Sequence, residues 1–261
     1  MSKLVKIALA FALAVSAGCA TPPPTAKRPV VTDDAARQAR SHFGQGQQHL
    51  QGGRIPHAIR ELRAAAGLNP NDPEIRLALA EAYRLRGLLA ESEHELLEAL
   101  AIDAEFQKAR LTLSALYIQL ERYQDAIAQA QRLIDDPTYA NVWMPLLNKG
   151  IAQMRLGQLD DARNSLGLAV EFKPDDWRAH LNLGTLAAQA GDSEAALAHF
   201  ANVLKYGAGT LGEAEANFRA AQIYDARGDQ GRAIRHLLAA SERNPDGQWG
   251  KASVEYLKRL Q

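Results

Sequence analysis

A pattern that recurs every 34 to 37 residues runs through most of this 261-residue chain. Six units can be aligned on it without gaps inside any unit. Their first residues are Ala39, Pro73, Gln107, Trp143, Trp177 and Ala214. A fixed period of this length indicates an array of stacked supersecondary units, because each unit can bury its apolar face only against its neighbours.

Four places in the unit carry the pattern. The eighth place is small in every unit: Gly46, Ala80, Ser114, Gly150, Gly184 and Ala221. The twentieth is also small: Ala58, Ser92, Ala126, Ala162, Ala196 and Ala233. The twenty-fourth is apolar: Leu62, Leu96, Ala130, Leu166, Phe200 and Leu237. The fifteenth is glycine except in the third unit: Gly53, Gly87, Glu121, Gly157, Gly191 and Gly228. Small residues permit two helices to cross closely, and glycine suits a turn with positive φ between them.

Composition favours helices and excludes several functions. Ala, with 48 residues, far outnumbers the β-branched Val, with 8. Lys plus Arg and Asp plus Glu are 30 each, which argues against nucleic-acid binding through bulk positive charge. A single cysteine excludes an internal disulfide and a cysteine-rich metal site.

The N-terminal segment has the features of an export signal. Two lysines precede the uncharged run from Ile7 to Ala17, which is too short to span a bilayer as a mature helix. The run ends in Ser16-Ala17-Gly18-Cys19, which resembles a bacterial lipobox. The resemblance implies a signal peptide at residues 1–18, acyl chains on Cys19 and attachment to the periplasmic face of the outer membrane. Ordinary cleavage after Ala17 is the alternative, and it would leave a soluble periplasmic protein.

Residues 19–38 are predicted to form a Pro-rich tether. Four of the 11 prolines lie between Pro22 and Pro29, and the segment lacks helical periodicity.

The repeat resembles the tetratricopeptide repeat (TPR), a helix–turn–helix unit of 34 residues. This resemblance implies an all-α fold, a right-handed α-solenoid of six units closed by a C-terminal capping helix. The predicted units are 39–72, 73–106, 107–140, 143–176, 177–210 and 214–247, with the cap at 248–261.

Other motifs give no catalytic or metal site. The sequence Gly207 to Gly212 matches a phosphate-binding pattern, but a helix rather than a strand is predicted before it, so a loop between units is expected. The seven histidines lack supporting ligands at metal spacing. Paired aspartates lie at predicted helix ends, where they cap N–H groups. We therefore predict no enzyme activity, no cofactor and no metal.

The first helices of TPR units form a concave groove, and the resemblance places the partner there. The predicted groove residues are Phe43, Leu50, Leu77, Arg84, Leu111, Ile118, Met144, Leu147, Asn148, Ile151, Met154, Leu181 and Asn182. Their apolar, Met-bearing character suits an amphipathic segment of another protein. Leu147 and Ile151 replace partners of a carboxylate clamp, and a charge at either is expected to abolish binding without unfolding. The alternative is that the superhelix buries this stripe itself.

Anchor, repeat number and length together resemble the pilotin family, lipoproteins of type IV pilus biogenesis that assist secretin assembly. This resemblance implies a scaffold that binds the secretin and promotes its outer-membrane localisation and multimer assembly. The alternative is a general scaffold of another envelope machine, such as polysaccharide export or cell-wall synthesis. Neither interpretation requires a nucleic acid or a small-molecule substrate.

Overall fold

A computed structural model describes residues 29–260, and these fold into thirteen helices without a strand. The predicted signal peptide, Cys19 and the first part of the tether lie outside the described residues. The first seven helices are α1 (Asp33–Gln51), α2 (Ile55–Leu68), α3 (Pro73–Arg86), α4 (Leu89–Ile102), α5 (Gln107–Gln119), α6 (Tyr123–Ile134) and α7 (Trp143–Arg155). The remaining six are α8 (Leu159–Phe172), α9 (Trp177–Gln189), α10 (Ser193–Tyr206), α11 (Leu211–Ala226), α12 (Gln230–Arg243) and α13 (Gln248–Leu260).

The small-residue columns form the contact between the two helices of each unit. All residues at the twentieth and twenty-fourth places are buried, as are those at the eighth. A Cβ built on Gly46 or Gly150 would lie 2.6 Å from Cγ of Leu62 or Leu166, respectively. The eighth place therefore packs directly on the twenty-fourth, which confirms the close crossing predicted from the sequence.

The turn between the two helices uses the predicted left-handed residue. Each of the five glycines at the fifteenth place has a φ between 68° and 82°. Glu121 occupies this place in the third unit and has a φ of 59°, so it adopts the same turn at a steric cost.

Two boundaries differ from the prediction. Helix α1 begins at Asp33, so residues 33–38, which were predicted to belong to the tether, are helical. The Thr32 hydroxyl oxygen accepts a hydrogen bond from the Ala35 amide at 3.2 Å, and two aspartates follow in the first turn, where the helix dipole favours negative charge. Helix α11 begins at Leu211, three residues before the predicted start of the sixth unit.

The segment from Gly207 to Gly212, which comprises the loop 207–210 and the first two residues of α11, makes room for a tryptophan side chain. A Cβ on Gly207 would lie 2.9 Å from Cγ of Trp177, and one on Gly212 would lie 2.3 Å from its Cζ3. The glycines are therefore needed for packing against the indole, and the loop follows helix α10 rather than a strand. The predicted loop between units is confirmed for residues 207–210, whereas Leu211 and Gly212 already belong to α11.

The units stack into a solenoid. Each first helix contacts the first helix of the next unit, whereas successive second helices make no comparable contact anywhere in residues 29–260. The first helices therefore lie closer together and form the inner, concave side. Helix α13 packs on α11 and α12 and closes the stack: the Tyr256 hydroxyl donates a hydrogen bond to Asp225 at 2.7 Å. The predicted all-α solenoid with its capping helix is confirmed.

None of the helices in the described part of the chain combines the length and the apolar character needed to cross a bilayer.

Candidate protein-binding groove

The central part of the concave face contains a pocket of about 350 Å³. Helices α3, α5, α7 and α9 contribute to it, so it spans parts of four successive units. Leu111, Met144 and Leu147 provide an apolar surface, and the side-chain amides of Gln119 and Asn148 lie beside it. An apolar surface with adjacent amides can take up an apolar side chain and hydrogen-bond the backbone that carries it.

Charged side chains flank this apolar surface. Arg84 and Arg178 come from α3 and α9, and Glu81 lies on the turn before Arg84. Burial raises the pKa of the Glu81 carboxyl above its ordinary value, and the positive charge of Arg84 opposes that rise.

The Arg178 guanidinium is held in place by two neighbours. It donates to the Asp176 carboxylate at 2.7 Å, and its central carbon lies 5.4 Å from the ring centroid of Trp143. Asp176 is itself the N-cap of α9 and accepts from the Ala179 amide at 3.0 Å. One carboxylate therefore caps the helix and orients an arginine at the pocket.

The predicted groove residues fall into four sets, and Leu147 belongs to two of them. Five of them line the central pocket: Arg84, Leu111, Met144, Leu147 and Asn148. Six others are half-buried and pack on the core beneath the concave face: Phe43, Leu50, Ile118, Ile151, Met154 and Leu181. Asn182 is half-buried, and its amide donates to the Arg178 carbonyl oxygen at 2.8 Å. The last group consists of buried side chains, to which Leu77 and, again, Leu147 belong.

The burial of Leu147 changes the effect expected from a charge at this position. Leu147 is only 4% exposed and packs in a core cluster with Ala179 and Leu183 of the next unit's first helix. We therefore expect Leu147→Arg to destabilise the stack, in place of the expectation from the sequence that it leaves the stack folded, because the charge would enter an interface between units. The stripe is thus buried in part and exposed in part.

The sequence prediction missed several residues that line the central pocket. They are Glu81, Thr112, Ala115, Gln119, Trp143 and Arg178. Glu81 and Arg178 occupy the ninth and second places of their units, which also face outward, so the repeat frame already contained the signal.

A second depression, of about 290 Å³, lies at the C-terminal end of the stack. Trp177, Leu181, Leu211 and Trp249 give it an apolar lining. Leu211 is 76% exposed, the most accessible large apolar side chain of the six-unit array.

Within residues 29–260, no three His, Cys, Asp or Glu side chains are arranged to hold a metal ion. The four aspartate pairs lie at helix ends, as predicted, but among them only Asp176 at the start of α9 accepts a capping hydrogen bond. Asp33 and Asp34 occupy the first turn of α1, Asp160 and Asp161 that of α8, and Asp135 and Asp136 follow the last residue of α6.

Comparison with known proteins identifies the repeat. The family model described as tetratricopeptide repeat matches residues 43–110, 147–209 and 183–248, well over half of the chain. This chain belongs to the tetratricopeptide repeat family. TPR arrays are scaffold folds that generally bind protein partners, which agrees with a groove on the concave face.

Solved structures with the same fold include two pilus proteins. PilW, described as a widely conserved type IV pilus biogenesis factor, matches with a TM-score of 0.73 and 19% identity, over 83% of this chain and 98% of PilW. PilF of Pseudomonas aeruginosa matches with a TM-score of 0.71 and 16% identity, over 84% of this chain and 97% of PilF. YrrB, described as a TPR protein with an unusual peptide-binding site, has a TM-score of 0.52 and 22% identity, over 74% of this chain and 97% of YrrB.

A curated human protein, protein O-mannosyl-transferase TMTC1, is 29% identical over 164 residues. The match covers 61% of this chain but 18% of the length of that relative.

Proposed function

We propose that this protein is a lipid-anchored scaffold that binds the type IV pilus secretin and promotes its outer-membrane localisation and multimer assembly. In this proposal Cys19 carries the acyl chains, and two chains make the attachment stable where one would be marginal. The protein acts without catalysis, because it only captures and positions its partner. The nearly complete coverage of both PilW and PilF supports the proposal, since the alignment extends over almost the whole of each pilus protein rather than over a few shared repeats.

The central pocket is the proposed contact with the secretin. An amphipathic segment of the partner would place an apolar side chain against Leu111 and Met144. The amides of Gln119 and Asn148 would bind its backbone, and Arg84 and Arg178 would interact with polar groups at either side. The half-buried apolar residues of the neighbouring units would extend the contact along the groove.

A general TPR scaffold for another envelope machine, such as polysaccharide export or cell-wall synthesis, is the second candidate. The Cut9–Hcn1 assembly of the APC/C matches with a TM-score of 0.71 over 85% of this chain, although this is 42% of that chain. A stack with the same TM-score as PilF thus also occurs in a protein whose description names a different assembly.

A matched pair of substitutions tests the groove. Met144→Glu places a charge in the central pocket, whereas Leu168→Glu places the same charge on the outer helix α8, where Leu168 is 44% exposed. Full-length tagged variants would be expressed in the native host, and co-purified secretin and the fraction of secretin in multimers would be measured. We expect Met144→Glu to lower both and Leu168→Glu to leave both unchanged.

The anchor requires its own variant. Cys19→Ser is expected to release the protein from the membrane and to lower the amount of secretin multimers. Unchanged multimers in this variant would contradict the transport role. Co-purification of export or synthesis proteins in place of secretin would favour the second candidate.

A further inference from the structure

Polar pairs join the two helices of the units at one recurring position. The fourth place of the first helix contacts the twenty-third place, on the second helix, 19 residues later. Five units have such a pair, at distances of 2.7–3.1 Å: His42–Glu61, Arg76–Glu95, Arg110–Gln129, His180–His199 and Asn217–His236. The fourth unit has Leu146 and Ser165 there instead. The fifth unit is distinctive because both members of its pair are histidines.

Hydrogen bonding fixes the protons of this histidine pair. His180 is 4% exposed, and its Nε2 lies 2.9 Å from the Pro174 carbonyl oxygen, so Nε2 must carry a proton and donate it. In the neutral ring Nδ1 is then an acceptor. The Nδ1 atom of His199 lies 3.0 Å from it and must be the donor. Both rings are thus satisfied when both are neutral.

Acid would disturb this arrangement in two steps. The pair can carry one additional proton on the outer nitrogen of His199, at the cost of a charge in a half-buried site. A second proton would put N–H groups on both facing nitrogens, 3.0 Å apart, with like charges on the two rings. Burial and the neighbouring His180 lower the pKa of His199 below its ordinary value of 6.5.

Charged and aromatic groups of the neighbouring helices lie near the pair. Arg163 of α8 and Asp192 at the start of α10 carry opposite charges and line the same depression as His199. The ring of Tyr206 stacks on His180 with centroids 6.3 Å apart. In the turn before α9, Asp176 is already engaged with Arg178.

The pair lies at the start of the helix that completes the central pocket. His180 is in the first turn of α9, together with Trp177 and Arg178. It also ties the preceding turn, through Pro174, to α10, through His199. A change in the pair therefore acts on the part of α9 that presents Arg178 to the groove.

We propose that the His180–His199 pair is an acid-sensitive joint, in which proton uptake loosens α9 from α10 and releases the first turn of α9. This inference goes beyond the proposed function, because it concerns the protein alone and needs no partner. The direction in which the stability changes with pH follows from proton binding. The unfolded chain binds more protons than the folded chain below about pH 6.5, so the contribution of the pair is complete above that pH and declines as the pH falls.

The sixth unit supplies a matched test variant. There Asn217 accepts from Nδ1 of His236 at 2.8 Å and donates from its amide to the Glu213 carbonyl oxygen, four residues earlier, at 3.1 Å. His180→Asn transfers this pair to the fifth unit. The asparagine oxygen can accept from His199 in either charge state, and the asparagine carries no charge of its own. Exposed His94 on α4 provides the control, His94→Asn.

The test compares thermal unfolding of the full chain between about pH 7.5 and about pH 5.5. We expect the fall in Tm on acidification to be smaller in His180→Asn than in wild type by about 2–4 °C, and unchanged in His94→Asn. Equal falls in wild type and His180→Asn would overturn the proposal.

Hydrogen exchange of the wild type gives an independent readout. After correction for intrinsic rates, acid should accelerate exchange in residues 177–185 relative to the equivalent residues of α11. Equal protection of the two segments at both pH values would also overturn the proposal, even if the variant did not fold.

Discussion

Gly184→Ala tests how tightly the two helices of a unit cross. The new Cβ would lie 2.6 Å from Cε1 and 2.8 Å from Cδ1 of Phe200, where ordinary contacts begin at about 3.4 Å. The ring is rigid and 1% exposed, so α9 and α10 would have to separate by several tenths of an ångström. Overpacking of this kind costs roughly 1–3 kcal/mol.

Helix propensity acts in the opposite direction. Replacing glycine by alanine inside a helix gains about 1 kcal/mol, so Gly184→Ala should destabilise by only about 0–2 kcal/mol. Gly167→Ala, inside α8, is the control, because nothing lies within 4 Å of its Cβ and it should be stabilising by about 1 kcal/mol. The difference between the two variants isolates the contact with Phe200 and should be about 1–3 kcal/mol.

The assay is urea unfolding followed by circular dichroism at 222 nm. Equal stabilisation by Gly184→Ala and Gly167→Ala would refute the reasoning. A further check adds Phe200→Leu, which gives the fifth unit the alanine–leucine pair that Ala80 and Leu96 form in the second. The double variant should be more stable than the two single changes predict, with a coupling of about 0.5–3 kcal/mol.

Three other substitutions follow from local geometry. Glu121→Gly should raise the free energy of unfolding by about 1 kcal/mol, because it removes a left-handed non-glycine residue; urea unfolding measures it, and a decrease would contradict the turn described here. Leu147→Arg should lower the free energy of unfolding by several kcal/mol and reduce the circular dichroism at 222 nm, whereas unchanged stability would place Leu147 at the surface. Gly212→Ala should destabilise the protein by roughly 1–3 kcal/mol and shift the tryptophan fluorescence, because the new Cβ meets the Trp177 ring. An unchanged emission spectrum and an unchanged urea midpoint would show that the start of α11 adapts.

The fold could be predicted from the sequence because each requirement of the unit falls on a fixed place. Glycine or alanine at the eighth place and an apolar residue at the twenty-fourth are set by one contact, as Gly46 on Leu62 illustrates. The left-handed turn at the fifteenth place is equally local. These constraints depend on residues within one unit, so a single sequence displays them six times.

The groove was less predictable because it depends on contacts between units. Leu77, Leu111, Leu147 and Leu181 share the fifth place, yet Leu77 and Leu147 are buried and the other two are half-buried. Their exposure is set by the separation of successive first helices, and the frame of one unit does not specify it. The start of α1 at Asp33 was missed for another reason, since the first helix extends beyond the repeat with its own Thr32 cap.

The contact between His180 and His199 could also not be predicted from the sequence. His180 and His199 are 19 residues apart, and their significance emerges only when the same spacing is seen to join polar side chains in five units. Considered singly, each histidine resembles an ordinary residue at the contact between two helices.

A bound partner would change the local stability of the stack most at the third unit. Glu121 strains its turn, and Ala130 supplies less apolar contact than the Leu or Phe that other units have at this place. Because the stability of such an array is approximately the sum of the stability of each unit and its contacts with the adjacent units, thermal opening should begin there. The central pocket spans α3 to α9 and thus bridges this unit. A partner bound across the pocket would therefore suppress local opening of the third unit, where the contacts within the chain are weakest.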